Sequence, residues 1–352
     1  MLRFVAASLV IYGHGSAITG GKGWPELFSH LGWGHYSGDI AVDIFFVISG
    51  FMVTGSFLRR RHLLDFLWAR ALRIYPALIF CLLVSAFVLG AICTSLPLAR
   101  YFEDPATLHY VVQNFKLQTT MAWHLPGVFT HNPIRTTVNG SLWTLPAEIR
   151  MYLWVGLLGA LGILARKWLA SVVLLALFVC GVVQPDHLLW MPLASFVRLG
   201  GYFALGAFCY LHRQHIRAGW PMVSALVLIA YSARHTPAYP YAFGLALGAF
   251  VFAFAYCLPW HGFNRFGDYS YGMYLWGFPV QQAIAHYHPA LTPIENAIPA
   301  FLLALVLAVL SWHFVEKPVL RWKPLPAKAA VKLGLVRRKP DPHAEHPAPV
   351  AQ

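Results

Sequence analysis

Seven ionisable side chains fall inside or at the edge of long apolar runs: Arg3, His14, Asp39, Asp43, Glu148, Arg150 and Arg198. Ionisable groups within a membrane span are costly, and each marks a functional hypothesis by default. Arg3 and His14 are eleven residues apart. On a helix that is three turns plus roughly 20°, and a rise of about 16 Å, so both side chains face the same way. A guanidinium at one end could hold an anion while an imidazole half a membrane away acts as a general base. The simpler alternative is a snorkelling Arg and a core His bonded to a neighbouring helix. Asp43, in GDIAVDIFFVISGF, could orient a His base as acids do in catalytic triads, or cap a helix at the water interface. Asp39, one turn earlier, reads as a cap, and two carboxylates on one face repel, which could hold one protonated. Glu148, in NGSLWTLPAEIRMYLW, could accept a hydroxyl proton, bind a sugar, or pair with Arg198; Arg150, two residues on, faces elsewhere. Arg70 and Arg73, in RRRHLLDFLWARALRIYP, share a helix face and could grip a phosphate, or could be simple topology charge like Arg59, Arg60 and Arg61.

These groups need a scaffold, and composition says which kind. The chain has 352 residues, 58% hydrophobic and only 11% charged, against roughly 25% charged for a soluble domain. A soluble enzyme, a disordered chain and a collagen-like repeat are excluded. Apolar stretches near 2–19, 40–58, 74–93, 141–164, 168–185, 194–211, 219–235, 239–258, 271–288 and 295–315 each approach the ~20 residues a span requires. The expectation is an all-α polytopic membrane protein, a bundle of about ten transmembrane helices. Ser49-Gly50 could bend the second of them or let a ligand or another helix approach closely.

A net charge of +13 could suggest nucleic acid. The basic residues, however, sit mostly between apolar runs. With both termini cytoplasmic, nineteen Lys and Arg fall inside and five outside, which is the positive-inside pattern. No nucleic-acid partner is expected. The longest connection, 94–140, lies on the outer side and carries His109, Trp123, His124 and His131. Residues 1–323 read as one membrane domain, and 324–352 as a basic, disordered cytoplasmic tail that touches anionic lipid. The five cysteines form no CxxC pair, so neither a disulfide framework nor a zinc site is expected, and no metal is needed. The first apolar run lacks a cleavage signature and reads as a retained span.

The order of these segments resembles the integral-membrane acyltransferase family three, which includes O-acetylases of bacterial polysaccharides, O-antigens and Nod factors. The matching pieces are the Arg3-to-His14 spacing, VDIFFVISGF at 42–51, Arg70 and Arg73 in RALRIYP, and NGSLWTLPAEIRMYL at 139–153. SFVRLGGYFALG, YSYGMYLW and SWHFVEKP follow in order, so the likeness covers residues 1–323. It implies an acyl-CoA-dependent O-acyltransferase of the bacterial inner membrane. Such an enzyme would move an acyl group, acetyl first among candidates, from cytoplasmic acyl-CoA to a hydroxyl of an exported or cell-surface polysaccharide or glycolipid. Its partners would be the acyl-CoA co-substrate, the glycan acceptor and the bilayer; a second copy or a glycan-assembly protein would be a further one. Arg3, Arg70 and Arg73 would hold the donor. His14 would act as general base or as the nucleophile of an acyl-His intermediate, with Asp43 and Glu148 as the other catalytic candidates. The family commonly has His where this chain has Gly277, and no attached extracytoplasmic hydrolase-like domain is seen. The rival reading is a polysaccharide or small-molecule transporter or flippase, which shares the spans and midplane charges but needs no acyl-CoA and no essential His.

Overall fold

The computed structural model describes residues 1–21, 26–184, 191–216, 218–258 and 262–326. It is helical, and the described residues contain no strand, only two isolated bridges. All ten apolar stretches contain a helix. In chain order these are α1 (Leu2–Ile18), α2 (Ser37–Arg60) and α3, which runs from Leu63–Val84 through a π-helical segment to Cys93. Two short helices follow, α4 (Leu98–Glu103) and α5 (Pro105–Phe115). Then come α6 (Leu145–Ala160), α7 (Lys167–Val183), α8 (Ala194–Leu211), α9 (Trp220–Ser232) and α10 (Tyr239–Cys257). The last two are α11 (Ser270–Tyr287) and α12, which starts at Pro293–Leu310 and continues through a second π segment, Ser311–Glu316.

Among the described residues five helices are long and apolar enough to cross a membrane: α2, α3, α8, α10 and α12 with its extension. α1, α7 and α9 are apolar but shorter. α6 and α11 carry the polar residues discussed below. Five of the ten expected spans therefore meet a length-and-apolarity criterion unaided. The other five are cut short by charge, Pro or Gly at their ends, or diluted by polar side chains that face the interior. The sequence-predicted tail lies, from residue 327 onward, outside the described residues.

Local chemistry fixes several helix starts. Thr292 and Glu295 form a reciprocal capping box at α12, with Pro293 at its first position. Glu26 accepts from the Ser29 and Ser37 backbone N–H groups, each at 3.0 Å, which ties the approach to α2. Asn139 accepts from Ser141 N–H at 3.1 Å and opens the 3₁₀ turn Gly140–Thr144 that leads into α6.

α2 is the axis of the bundle. Of its apolar window 72% is buried, against 22% for α12. It packs on α1, α8 and α6. Contact with α8 is close because glycines face backbone: a Cβ on Gly50 would lie 1.9 Å from the Phe203 carbonyl oxygen, and one on Gly206 2.0 Å from that of Val47. Small residues allow just this approach between membrane helices. Of the two roles open to Ser49-Gly50, Gly50 takes close approach. Connection 94–140 folds into an ordered cap. Asn114 exchanges two bonds with the Ala122 backbone, at 2.8 and 3.0 Å. Asn132 donates to the Gln282 carbonyl at 2.9 Å, and Gln282 donates to the carbonyls of Ile134 and Thr137, pinning the cap to α11.

Candidate active site

The end of the bundle that holds Met1 also holds Arg59–Arg61, Asp268 and Glu316; we call it the basic end. The opposite end carries the cap. α1, α2, α10, α12 and the segment before α11 enclose a vestibule of about 860 Å³ at the basic end, lined by Arg3, Phe51, Met52, Phe252, Arg265 and Asp268 among others. Arg3, Ile48 and Met52 also line a second, smaller cavity of about 80 Å³, which runs deeper between α2, α3, α6 and α11. Arg70, Arg73 and Glu148 line it too. Four of the six sequence-predicted site residues, from three different helices, thus meet around one space.

Their partners differ. Arg73 Nη2 donates to Asp268 at 2.6 Å and its Nη1 to Glu316 at 3.4 Å. Arg3 reaches the same Asp268 oxygen at 3.5 Å. Glu316 sits at the end of the π segment and also accepts from Ser311 at 3.1 Å. Such π turns inside α-helices often mark functional positions. Asp268 also accepts from the Ser270 hydroxyl at 2.5 Å, at the start of α11. Burial pushes the Asp268 carboxyl up, but Arg3, Arg73 and the Ser270 bonds outweigh it and hold it well below the usual carboxylate range. Arg70 has no ion pair among the described residues. Its Nε is buried without a hydrogen-bond partner, and its guanidinium lies 5.8 Å from the Tyr152 ring centroid. The Arg70/Arg73 pair is therefore divided: Arg73 is ion-paired with two carboxylates, while Arg70 makes no ion pair and shares the cavity with Glu148.

Glu148 accepts a short bond from the Tyr152 hydroxyl, and Ser49 Oγ lies 3.5 Å from the same carboxylate oxygen. The Glu148–Arg198 pairing offered by the sequence does not form. Arg198 instead donates to both Asp43 oxygens at 2.7 Å and approaches Asp39 at 3.4 Å. The physical reason is that Asp43 is fully buried and needs a cation, and α8 brings one across the glycine-lined contact. The same pairing answers the expectation of repulsion between Asp39 and Asp43, since one Arg serves both. With both oxygens taken by Arg198, Asp43 shows no contact with His14; the triad-like role offered for it is not formed. Arg150 turns away from Glu148, as its spacing requires, and bonds Thr119 of the cap and the Pro146 carbonyl.

His14 stands apart from the cavity. Its Nδ1 is buried with no hydrogen-bond partner, and its ring meets Phe278 edge-on at 5.1 Å. Arg3 and His14 do look the same way: Arg3 reaches Asp268 just before α11, and His14 meets Phe278 within it. Between them Tyr274 lines the deep end of the small cavity, where its hydroxyl bonds Thr144 at 2.6 Å and donates to the Ser141 carbonyl at 2.7 Å. Gly277, where a His was expected from the resemblance, packs on α1. A Cβ there would sit 2.7 Å from Ile11 Cγ1, so a larger side chain has no room. No metal-ligating cluster occurs among the described residues.

Sequence reasoning missed Asp268, Glu316, Tyr152 and Tyr274 as site residues. Asp268, Tyr274 and Glu316 lie beside or within YSYGMYLW and SWHFVEKP, segments recognised by likeness but given no chemistry. A lone carboxylate at the edge of an apolar run was the available signal.

Comparison with known proteins agrees in kind. A family profile described as an acyltransferase domain matches residues 1–313. The chain is 31% identical over 331 residues to a protein named O-acetyl transferase from Shigella phage Sf6, covering 90% of this chain and 93% of that one. It is 28% identical over 365 residues to Nodulation protein 10 of Rhizobium leguminosarum bv. viciae, covering 91% and 92%. No solved structure matches it.

Proposed function

The chain belongs to acyltransferase family three, and from that premise we propose that it moves an acetyl group from acyl-CoA to a hydroxyl of an exported or cell-surface glycan. The phage relative's name favours acetyl and an oxygen acceptor. The observation that carries the donor assignment is the meeting of Arg3, Arg70, Arg73 and Glu148 around one cavity that shares Arg3, Ile48 and Met52 with a large vestibule. CoA is a polyanion on a flexible arm. Its phosphates suit the basic end, where Arg3 and Arg265 line the vestibule. Arg70, the cation deeper in that makes no ion pair, suits a polar group of the arm or the thioester oxygen.

In this reading the protein lies in the bacterial inner membrane with both termini cytoplasmic, so the vestibule faces the acyl-CoA pool. The pantetheine arm enters along the α1–α11 face toward His14. His14 takes the proton of the acceptor hydroxyl as that oxygen attacks the thioester carbonyl. A new C–O bond forms, the C–S bond breaks, and the thiolate leaves and recovers the proton as free CoA. The unpartnered Nδ1 gives His14 a ring nitrogen not committed to any protein group. Asp43 serves by holding Arg198 between α2 and α8 rather than by touching His14. Glu148, bonded to Tyr152 and Ser49, is a fixed carboxylate beside the donor.

The test is direct. Membranes containing the protein, supplied with acetyl-labelled acetyl-CoA, should place label on polysaccharide or lipid-linked glycan, and a deletion strain should lose its O-acetyl resonances. Absence of labelled glycan with wild-type protein, alongside intact O-acetylation in the deletion strain, overturns the reading.

A further inference from the structure

The vestibule is walled by rings. Among the described residues six phenylalanines and two tyrosines line it, and no tryptophan. That is not the aromatic belt of a membrane–water interface, which is built from Trp and Tyr for their polar tips. Phenylalanine offers only apolar area and a π-face. Phe263 lines the vestibule from the 3₁₀ turn Phe263–Arg265 and is 39% exposed. It meets Phe4 of α1 edge-to-face with centroids 5.4 Å apart, and Phe4 in turn rests on Phe301 of α12 at 6.1 Å. The Phe263 ring is thus braced and still accessible. Two guanidiniums flank these rings. Arg3 precedes Phe4 and shares Asp268 with Arg73. Arg265 follows Phe263 by two residues, lies over the Phe266 ring at 4.5 Å and makes no ion pair among the described residues. At about 860 Å³ the space falls within the ~300–1,000 Å³ of small-molecule and cofactor sites.

We propose that the vestibule holds the nucleotide end of the donor, with the purine base stacked on Phe263 and the phosphates beside Arg3 and Arg265. The inference rests on the donor assignment above and adds what guanidiniums alone do not supply, a contact for the uncharged base. Rings and cations alternate along both walls, Arg3–Phe4 on α1 and Phe263, Arg265, Phe266 on the facing segment. A nucleotide carries the same two chemistries side by side. A lipid chain would find apolar walls here too, but it presents no π-face to a ring. Phe263 is a binding residue, and it acts only on donors that carry the base.

The experiment measures transfer to the native glycan in membranes, reading kcat/KM for acetyl-CoA and for acetyl-4′-phosphopantetheine, which keeps the thioester and arm but lacks the nucleotide. Wild type is compared with Phe263→Leu, which keeps apolar bulk, and Phe263→Trp, which keeps a π-face. Stacking of a base on one ring is worth roughly 5- to 140-fold, so Phe263→Leu should lose at least about fivefold on acetyl-CoA and almost nothing on the truncated donor. Phe263→Trp should stay close to wild type on both. Adenosine 3′,5′-bisphosphate, the nucleotide end alone, should compete with acetyl-CoA, and its inhibition constant should rise by the same factor in Phe263→Leu. An unchanged inhibition constant and an unchanged kcat/KM for acetyl-CoA in Phe263→Leu overturn the proposal. So does an equal loss on both donors, which is the signature of a structural or lipid-packing ring, and so does equal use of both donors by wild type. If wild type transfers from neither donor, the donor assignment itself has failed, and that outcome is read from wild type alone.

Discussion

Arg70 and Arg73 sit one helical turn apart and yet should behave as different residues. Arg70→Ala removes a cation that makes no ion pair from the cavity. A lost charge-assisted contact of about 1.5–3 kcal/mol corresponds to roughly ten- to hundredfold weaker acyl-CoA binding, read by calorimetry in detergent, with the thermal midpoint nearly unchanged. Arg73→Ala strands the buried Glu316 instead and leaves Asp268 with Arg3 alone. Breaking a buried pair costs about 3–5 kcal/mol, so its signature is a lowered midpoint before any donor is added. Equal effects of the two variants on both readouts would refute the division. His14→Ala and His14→Gln should both abolish transfer while the folded protein still binds acyl-CoA, because Gln cannot take a proton at neutral pH; measurable turnover by purified His14→Gln removes His14 as base or nucleophile. Asp268 makes a pH prediction. Its carboxyl is held low in the folded protein, so its stabilisation is fully present above the unfolded value near ~3.9 and is lost only as pH falls below it. Compared in a Glu316→Gln background, so that the neighbouring carboxyl on Arg73 does not titrate, the midpoint gap between Asp268 and Asp268→Asn should therefore stay constant from neutral pH down to about 5 and close only in stronger acid. A gap that closes between pH 7 and 5 contradicts the Arg3–Asp268–Arg73 bridge.

Within helices, spacing was enough. Arg3 and His14 share a side of α1 because eleven residues make three turns, and Arg150 faces away from Glu148 because two residues make little more than half of one. Between helices, nothing in the spacing says who meets whom. Arg73 finds Asp268 195 residues on and Glu316 243 residues on, and Arg198 finds Asp43 rather than Glu148. Those pairings depend on which helices touch, and in an apolar bundle that is decided by small residues whose role shows only once the backbones are close. Gly277 gives a test at this scale. Gly277→Ala should destabilise by about 1–3 kcal/mol through overpacking, because its Cβ would press on Ile11. Adding Ile11→Ala should recover part of that loss, and the coupling should emerge as non-additivity in a double-mutant cycle. Strict additivity would mean the α1–α11 contact is looser than described.

For the molecule as a whole, the sequence-predicted helices and their order are seen. The orientation rests on the 19-to-5 partition of Lys and Arg. It predicts that a cysteine replacing His109 on the exposed side of α5, in a background lacking the native cysteines, reacts with impermeant reagent from outside the cell. A cysteine replacing Arg61 should react only after the membrane is opened. The reverse pattern overturns the placement. The cap was harder to foresee: a connection of that length reads from composition as active or disordered. Its order comes from side-chain amides of Asn114, Asn132 and Gln282 bonding backbone groups, chemistry that polar loop residues offer in any loop.

The hydroxyl ladder at Tyr274 also bears on the electrical integrity of the membrane. Thr144 can pass a proton to Tyr274, but Tyr274 spends its own on the Ser141 carbonyl, which has none to hand on. The ladder is a dead end for proton hopping. Vesicles carrying the protein at high density, without acyl donor, should therefore hold an imposed pH gradient as long as empty ones do.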